Sequence, residues 1–378
     1  MTKSWHTIAS YTAKGTDRMW PNRELLNLIG IDLPIIQAPM AGANGSAMAI
    51  AVSEAGGLGS LPCAMLDAAK VRAEIGAIRR QTAKPVNVNF FCHKPAAPDP
   101  DRDAAWKRHL AAYYEELGLD ASASAPAVNR VPFDEAMCEI VEDLKPEVVS
   151  FHFGLPVKPL LGRVKAAGCR VLASATTVEE ARWLEENGCD AIIAQGYEAG
   201  GHRGMFLTGE IATQAGTCAL VPQVVDAVKV PVIAAGGIAD GRGVAAAFAL
   251  GAAGAQIGTA YLFTPESLIS DLHRTALGAA RDDSTALTNL FSGRPARGQM
   301  NRLMREIGPM SDLAPAFPTA GGALAPLKAA AEARGASDFT SLWSGQAAGL
   351  CHETSATDLT RRLAEDAARR LQELALPG

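Results

Sequence analysis

Residues 166–196 read AAGCRVLASATTVEEARWLEENGCDAIIAQG, and their order decides the fold. RVLASA at 170–175 and AIIAQG at 191–196 are apolar runs without alternation, the pattern of strands covered on both faces. Between them the apolar residues of 178–187 recur at three- and four-residue spacing, which predicts an amphipathic helix. Thr177 followed three residues later by Glu180 predicts a capping box at its start, and Gly188 predicts its stop. Gly168 plays the same part before the first strand. The unit is helix, short glycine loop, buried strand, used twice.

Outward from this unit the pattern continues. Runs at 34–40 (PIIQAPM), 57–62 (GLGSLP), 85–91 (PVNVNFF), 148–153 (VVSFHF), 231–237 (PVIAAGG) and 254–259 (GAQIGT) bring the predicted strands to eight. Most are separated by helical stretches such as 66–80, so the chain reads as α/β with a parallel sheet. Eight successive βα units favour a closed (β/α)8 TIM barrel over an open doubly wound sheet, and no glycine cluster spells GxGxxG. The barrel is expected over 24–264. Residues 92–147 are too long for a barrel loop; with KPAAPDPD, a Trp/Tyr-bearing helix near 104–117 and the loose ASASAPAVN, they are expected as an insertion near the barrel mouth. From 265 the chain leaves the barrel. The stretch 265–350, with the turn segment RPARG (294–298) and the loop LAPAFPTAGGALAP (313–326), is expected as an appended helical subdomain on the substrate side. A C-terminal helix within 351–378, opened by Ser355 and Asp358, is expected to pack on the barrel.

Composition narrows the function. With 48% hydrophobic residues among 378, the chain has ample material for a core and is not disordered. A net charge of −5 without a basic cluster gives no footprint for nucleic acid or an anionic membrane, which points to a small-molecule partner. The seven cysteines contain no CxxC pair and read as reduced thiols. MTKSWHTIAS has no apolar core of a secretion signal, so a cytoplasmic location is expected. The uncharged stretch 243–265 is rich in Ala and Gly and reads as a buried helix followed by a buried strand, not a membrane span.

In such barrels the site lies at the carboxyl ends of the strands, and a phosphate commonly binds at the loops after the seventh and eighth. Gly236 and Gly237 end the seventh, and Gly258 and Thr259 end the eighth. Tight turns alone would also use these glycines; because both loops carry them together, a phosphate cradle is the favoured reading, with Gly200 and Gly201 extending it. Polar groups sit at or near the strand ends without structural need: Gln37, Asn87, Asn89, Ser150, His152, Ser174 and Gln195. Several amides at one mouth fit a flat heterocycle with donor and acceptor edges. No HxH or HxxxH spacing occurs, so no metal is predicted. His152, between Phe151 and Phe153, is either an acid–base group or a core histidine bonded to a carbonyl. His93 and Phe91 at the third strand's end, with Phe153, would line the substrate side. His202 reads as a loop-fixing group or phosphate neighbour.

Taken together, QAPMAG (37–42), NVNFF (87–91), SFHFG (150–154), AQGYEAGGHRG (194–204), AAGGIADGRG (234–243) and QIGTAYLFTPE (256–266) resemble the nitronate monooxygenase family. SGRPARG (292–298) and LWSGQAAGL (342–350) look like the family's late motifs. The resemblance implies FMN held by Ala38, Pro39 and Met40 against the ring, Asn89, Ser174 and Gln195 on its polar edge, and Gly200, Gly201, Gly236, Gly237, Gly258 and Thr259 around the phosphate, with Gln346 also in reach. It makes His152 the catalytic histidine. It implies oxidation of alkyl nitronates, or of nitroalkanes, by O2 to a carbonyl compound and nitrite, with a homodimer as a compatible assembly. An NAD(P)H-dependent flavin enoyl-thioester reductase and a non-catalytic FMN-binding protein stay open as alternatives.

Overall fold

The computed structural model describes residues 20–121 and 130–375. The N-terminal MTKSWHTIAS and all but the first residue of ASASAPAVN lie outside the described residues. Eleven strands form among the described residues: β1 (Ile35–Gln37), β2 (Gly59–Pro62), β3 (Val86–Phe91), β4 (Val148–His152), β5 (Arg170–Ala175), β6 (Ala191–Gln195), β7 (Gly201–His202), β8 (Val232–Ala235), β9 (Gly254–Ile257), β10 (Thr285–Thr288) and β11 (Ala296–Gln299). Eight of them run parallel in the order β1-β9-β8-β6-β5-β4-β3-β2. A parallel bridge between Ile36 and Leu58 joins the two ends of this sheet. There Gln37 N donates to Leu58 O at 3.0 Å and Leu58 N to Ile35 O at 2.9 Å, closing the TIM barrel. Each of the eight lies inside its predicted run, and β5 has the predicted bounds.

The strands were legible because their side chains are almost all buried, so most of each run is apolar, with its few polar residues themselves buried. Gly168 and Gly188 end their helices at φ 91° and 95°, a left-handed conformation that a side chain resists. The uncharged stretch 243–265 forms the helix Gly241–Ala249, β9 and the short helix Thr259–Leu262. Among the described residues no helix is long and apolar enough to cross a membrane.

Three expectations change. The stretch 92–147 is not all insertion, because Glu135–Leu144 is the regular barrel helix between β3 and β4. It is capped by Asp134, whose side chain accepts from Met137 N, and it buries Cys138, Ile140 and Val141. The tail is not purely helical: RPARG runs into β11, which pairs antiparallel with β10 and with β7. Arg, Gly and Gln in a four-residue strand carry no apolar alternation, so the sequence showed only a turn. The supposed loop 313–326 likewise contains the start of the helix Gly321–Glu332, hidden by its glycines and Pro326.

The tail is better described as an excursion between the eighth strand and the eighth helix. Ala356–Ala375 packs between the helices Gly241–Ala249 and Ser46–Glu54, completing the ring. The Tyr261 hydroxyl lies 2.7 Å from Thr360 Oγ1 and ties that helix to the end of β9. The excursion shares a second core with the insertion: Trp106, Leu110 and Tyr114 pack with Leu303, Leu324, Leu327 and Phe339. Trp106 Nε1 donates to Ala320 O at 3.1 Å and the Tyr114 hydroxyl to Ala323 O at 2.6 Å.

Two glycines give opposite predictions. A Cβ on Gly59 would sit 2.0 Å from the backbone oxygen of Ala49, so the helix Ser46–Glu54 can lie on β2 only if residue 59 lacks a side chain. Gly59→Ala should therefore lower the unfolding free energy by at least the ~1–3 kcal/mol of ordinary overpacking. Gly162 is exposed within the helix Lys158–Ala166, and a methyl group there would have nothing within 4 Å. Gly162→Ala should raise stability by about 0.5–1 kcal/mol. Urea midpoints of the two variants check both.

Candidate active site

A parallel barrel sends all its strands' carboxyl ends to one rim, and β4 delivers His152 there. Both ring nitrogens are engaged: Nδ1 lies 3.1 Å from Ser174 Oγ, on β5, and Nε2 lies 3.2 Å from the backbone oxygen of His202, on β7. A carbonyl can only accept, so Nε2 carries the proton and Nδ1 keeps the lone pair facing the Ser174 hydroxyl. Burial pushes the imidazole down to about 4, and the charges of Arg294 and Arg203 press the same way against the hydrogen bond to His202. At neutral pH the group is uncharged.

The roof over this imidazole is aromatic. Phe153 lies 4.5 Å from the His152 ring centroid and 4.9 Å from that of Phe91. Phe317, from the tail, stands 5.5 Å from Phe153 and 4.8 Å from His93. Phe153 takes φ 70°, a left-handed conformation rare for a bulky side chain, and Gly154 follows at 91°. Such strain persists only where the surroundings impose it, which is characteristic of functional rims. The guanidinium of Arg294 stacks 4.0 Å above the Phe153 ring and donates to Met205 O. His93 Nε2 lies 3.1 Å from Arg130 O, and burial lowers its proton affinity too.

The remaining predicted residues fall into two groups. At the β8 and β9 ends, Gly236 and Gly237 adopt φ 106° and 70°. Ala38, Pro39 and Met40 follow β1, and Ala38 N donates to Ile257 O at 2.8 Å, which holds this loop beside Gly258. The late motif joins them: Gly345 N donates to Thr259 Oγ1 at 2.9 Å and Gln346 N to Glu198 O at 3.0 Å. A Cβ on Gly200 would lie 2.5 Å from Gly345 N, so Gly200 is what lets the two segments meet. In the second group, Ser174 and Gln195 turn toward His152 and its covering segment rather than along the rim. Gln195 Nε2 donates to His202 O at 3.0 Å and its Oε1 accepts from Gly204 N at 2.7 Å. Asn89 Nδ2 donates to Ser150 O and Oγ.

His202 fixes its loop as expected, its ring nitrogen 2.8 Å from Ser292 Oγ, but it faces the aromatic roof, not the glycine cradle. Burial pushes Cys63 up to about 12 and Cys92 well above its ordinary range, so neither is a thiolate. Sequence reasoning missed Arg294 and Ser292, although both lie in the SGRPARG motif. It also missed Phe317, which stands in a stretch with no periodic signal. Glu180, read as half of a capping box, does not reach back to Thr177; Thr177 caps the helix alone by accepting from Glu180 N.

A closed TIM barrel whose strand-end rim holds a neutral histidine under an aromatic roof, with glycine turns elsewhere on the same rim, has the layout of a barrel enzyme. The nitronate monooxygenase profile matches residues 22–366, and the chain belongs to this family. It is 44% identical over 342 residues to a nitronate monooxygenase of Pseudomonas aeruginosa, covering 90% of this chain and 97% of that one. A nitronate monooxygenase of Paraburkholderia phytofirmans is 42% identical, with 93% and 97% covered. Among solved structures, a nitroalkane oxidase from Streptomyces ansochromogenes superposes with a TM-score of 0.84 at 38% identity, covering 93% of this chain and 99% of that one. FabK from Thermotoga maritima superposes at 0.69 and 28% identity, with 93% and 98% covered.

A Cβ on Gly204 would lie 2.9 Å from both His152 Cε1 and Ser174 Cβ. Gly204→Ala should therefore displace the imidazole, and a shift of order 1 Å costs roughly 100-fold in turnover. Steady-state assays on the folded variant measure this loss.

Proposed function

We propose that this enzyme oxidises alkyl nitronates, and the parent nitroalkanes, with O2 to a carbonyl compound and nitrite, using FMN. One observation carries the reading: an uncharged imidazole fixed at the end of β4 against Phe91 and Phe153, on the same strand-end rim as the glycine loops of β8 and β9. Family membership supports the reaction class.

The rim suits the cofactor. Among the described residues the backbone N–H groups of Gly236, Gly237, Gly258 and Thr259 find no protein acceptor, and several such donors in one concavity are what a phosphate dianion requires. The Thr217 hydroxyl, 2.8 Å from Gly236 O, steadies that turn. Ala38, Pro39 and Met40 would meet the ring, with Asn89 and Gln346 near its polar edge and Gly200 and Gly201 flanking the phosphate. Bound there, FMN supplies the electron acceptor, which no side chain of this chain provides.

The chain's own groups handle charge and protons. A nitroalkane must lose its α-proton, and the lone pair on His152 Nδ1 is the acceptor, released from the Ser174 hydroxyl as substrate enters. The other role open to His152, a protonated anchor for the nitronate, fits poorly with a group pushed down to about 4. Arg294, fixed on the Phe153 face, supplies the positive charge instead. The phenylalanines exclude water, which strengthens that attraction.

Replacing His152 by Asn should leave the flavin bound and slow nitroalkane oxidation by about 10²–10⁴-fold, read by oxygen uptake. Preformed nitronate, which needs no base, should suffer less. The pH profile has a defined sign. Since protonation destroys the base and the imidazole's affinity for the proton is lowered, kcat/KM for the nitroalkane should hold as pH falls through 6.5 and decline only toward about 4. A half-loss near 6.5 would show an imidazole in water, against the proposal.

A further inference from the structure

Two fully buried charges near the rim play no direct part in the chemistry above. Arg203 and Glu180 are each completely shielded from solvent. A charge taken into the interior costs several kcal/mol unless its hydrogen-bonding capacity is met, and both are met in full view of the site. Arg203 donates from Nε to Gln214 Oε1 at 2.7 Å and from its two terminal nitrogens to Gly196 O at 2.5 Å and Gln195 O at 2.8 Å. Glu180 accepts from Thr176 N and Thr176 Oγ1, each at 2.7 Å, and from Phe206 N at 2.6 Å and Leu207 N at 3.1 Å. Gln214 Nε2 donates to Thr176 Oγ1 at 2.7 Å, which makes one continuous chain from Arg203 through Gln214 and Thr176 to Glu180.

This chain grips the segment 202–207 at both ends. At one end Arg203 itself is anchored to the last carbonyls of β6, and its backbone N–H donates to Pro295 O at 2.9 Å. At the other, Glu180 holds Phe206 and Leu207. This segment carries two of the groups that touch the imidazole: the His202 carbonyl on Nε2 and Gly204, which packs against Cε1 and Ser174. β7 spans only Gly201–His202, and its other supports are the pairing with β11 and the Gln195 Nε2 bond to the His202 carbonyl at 3.0 Å.

We propose that Arg203 is a positioning residue for His152, acting through the carbonyl of His202, with Gln214, Thr176 and Glu180 completing its anchorage. The proposal rests on the reading that His152 takes the substrate proton at Nδ1. Holding the carbonyl in place keeps the proton on Nε2 and leaves Nδ1 free to accept. The charged and titratable groups that face His152 are Arg203, Arg294 and His202, with Arg130 and His93 beyond His202.

Gln214→Met tests this in the flavin-loaded enzyme, because it cuts the chain while leaving every one of those charges in place. Loss of one buried link should lower nitroalkane turnover by roughly tenfold. Because the His202 carbonyl is the one influence that raises the proton affinity of His152, loosening it should move the acid limb further down from about 4. The ¹⁵N resonances of His152 in histidine-labelled protein should titrate in step. Thr176→Val breaks the same chain at its next member and should do likewise, whereas Thr176→Ser, which keeps the hydroxyl, should behave as the parent. Should Gln214→Met fail to fold, the threonine pair decides. A folded Gln214→Met or Thr176→Val enzyme with the parental acid limb and parental ¹⁵N titration would overturn the proposal. The NMR titration needs no turnover. A shift there in a protein that never oxidises nitronates would keep the positioning role and discard the function.

Discussion

The hydrogen bond from His152 Nε2 to the backbone oxygen of His202 is the interaction on which the site depends. It fixes which ring nitrogen bears the proton, and it is available only because a two-residue strand crosses the rim. That strand is held in turn by pairing with β11, a segment far downstream in the chain (Arg297 opposite Gly201 and Ala296 opposite His202). The tail therefore does more than cover the barrel. Together with Gln195 of β6, it helps to place the backbone carbonyl that His152 bonds.

The enclosing lobe is assembled from distant pieces. The helices Pro100–His109 and Ala111–Leu117 come from the β3–β4 connection, and the helices Arg302–Ile307 and Gly321–Glu332 from the excursion after β9. Neither piece has an apolar core of its own; they share one around Trp106 and Leu327. Phe317 leaves this lobe to reach the site, and Phe91 and Phe153 meet it from the barrel. Substrate would thus be enclosed between a rigid barrel rim and a lobe whose stability depends on two insertions folding together.

Much of this was readable from the residues. Strands buried on both faces announce themselves as apolar runs, and glycines such as Gly168 and Gly188 mark where helices must stop, so the barrel followed from period and punctuation. The position of His152 at a strand end was readable too, although the run alone left open a core histidine bonded to a carbonyl, and such a bond does form. What stayed hidden depends on long-range pairing. β10 and β11 are short and polar, and nothing local distinguishes ARGQ from a turn. The capping pattern at Thr177 was correct for the hydroxyl and misleading for Glu180, because tertiary donors at Phe206 and Leu207 outcompeted the local one. Ser174 and Gln195, which the resemblance places on a cofactor edge, also hold the imidazole and its cover. Their hydrogen bonds to His152 and its covering segment depend on where residues 202–204 lie, which no local pattern encodes.

The most direct test of the central claim is rapid anaerobic mixing of the FMN-loaded enzyme with ethylnitronate and, separately, with NADPH, following the absorbance of the oxidised flavin. The account predicts fast loss of that absorbance with the nitronate and none with NADPH. A flavin bleached promptly by NADPH and inert to the nitronate would contradict it.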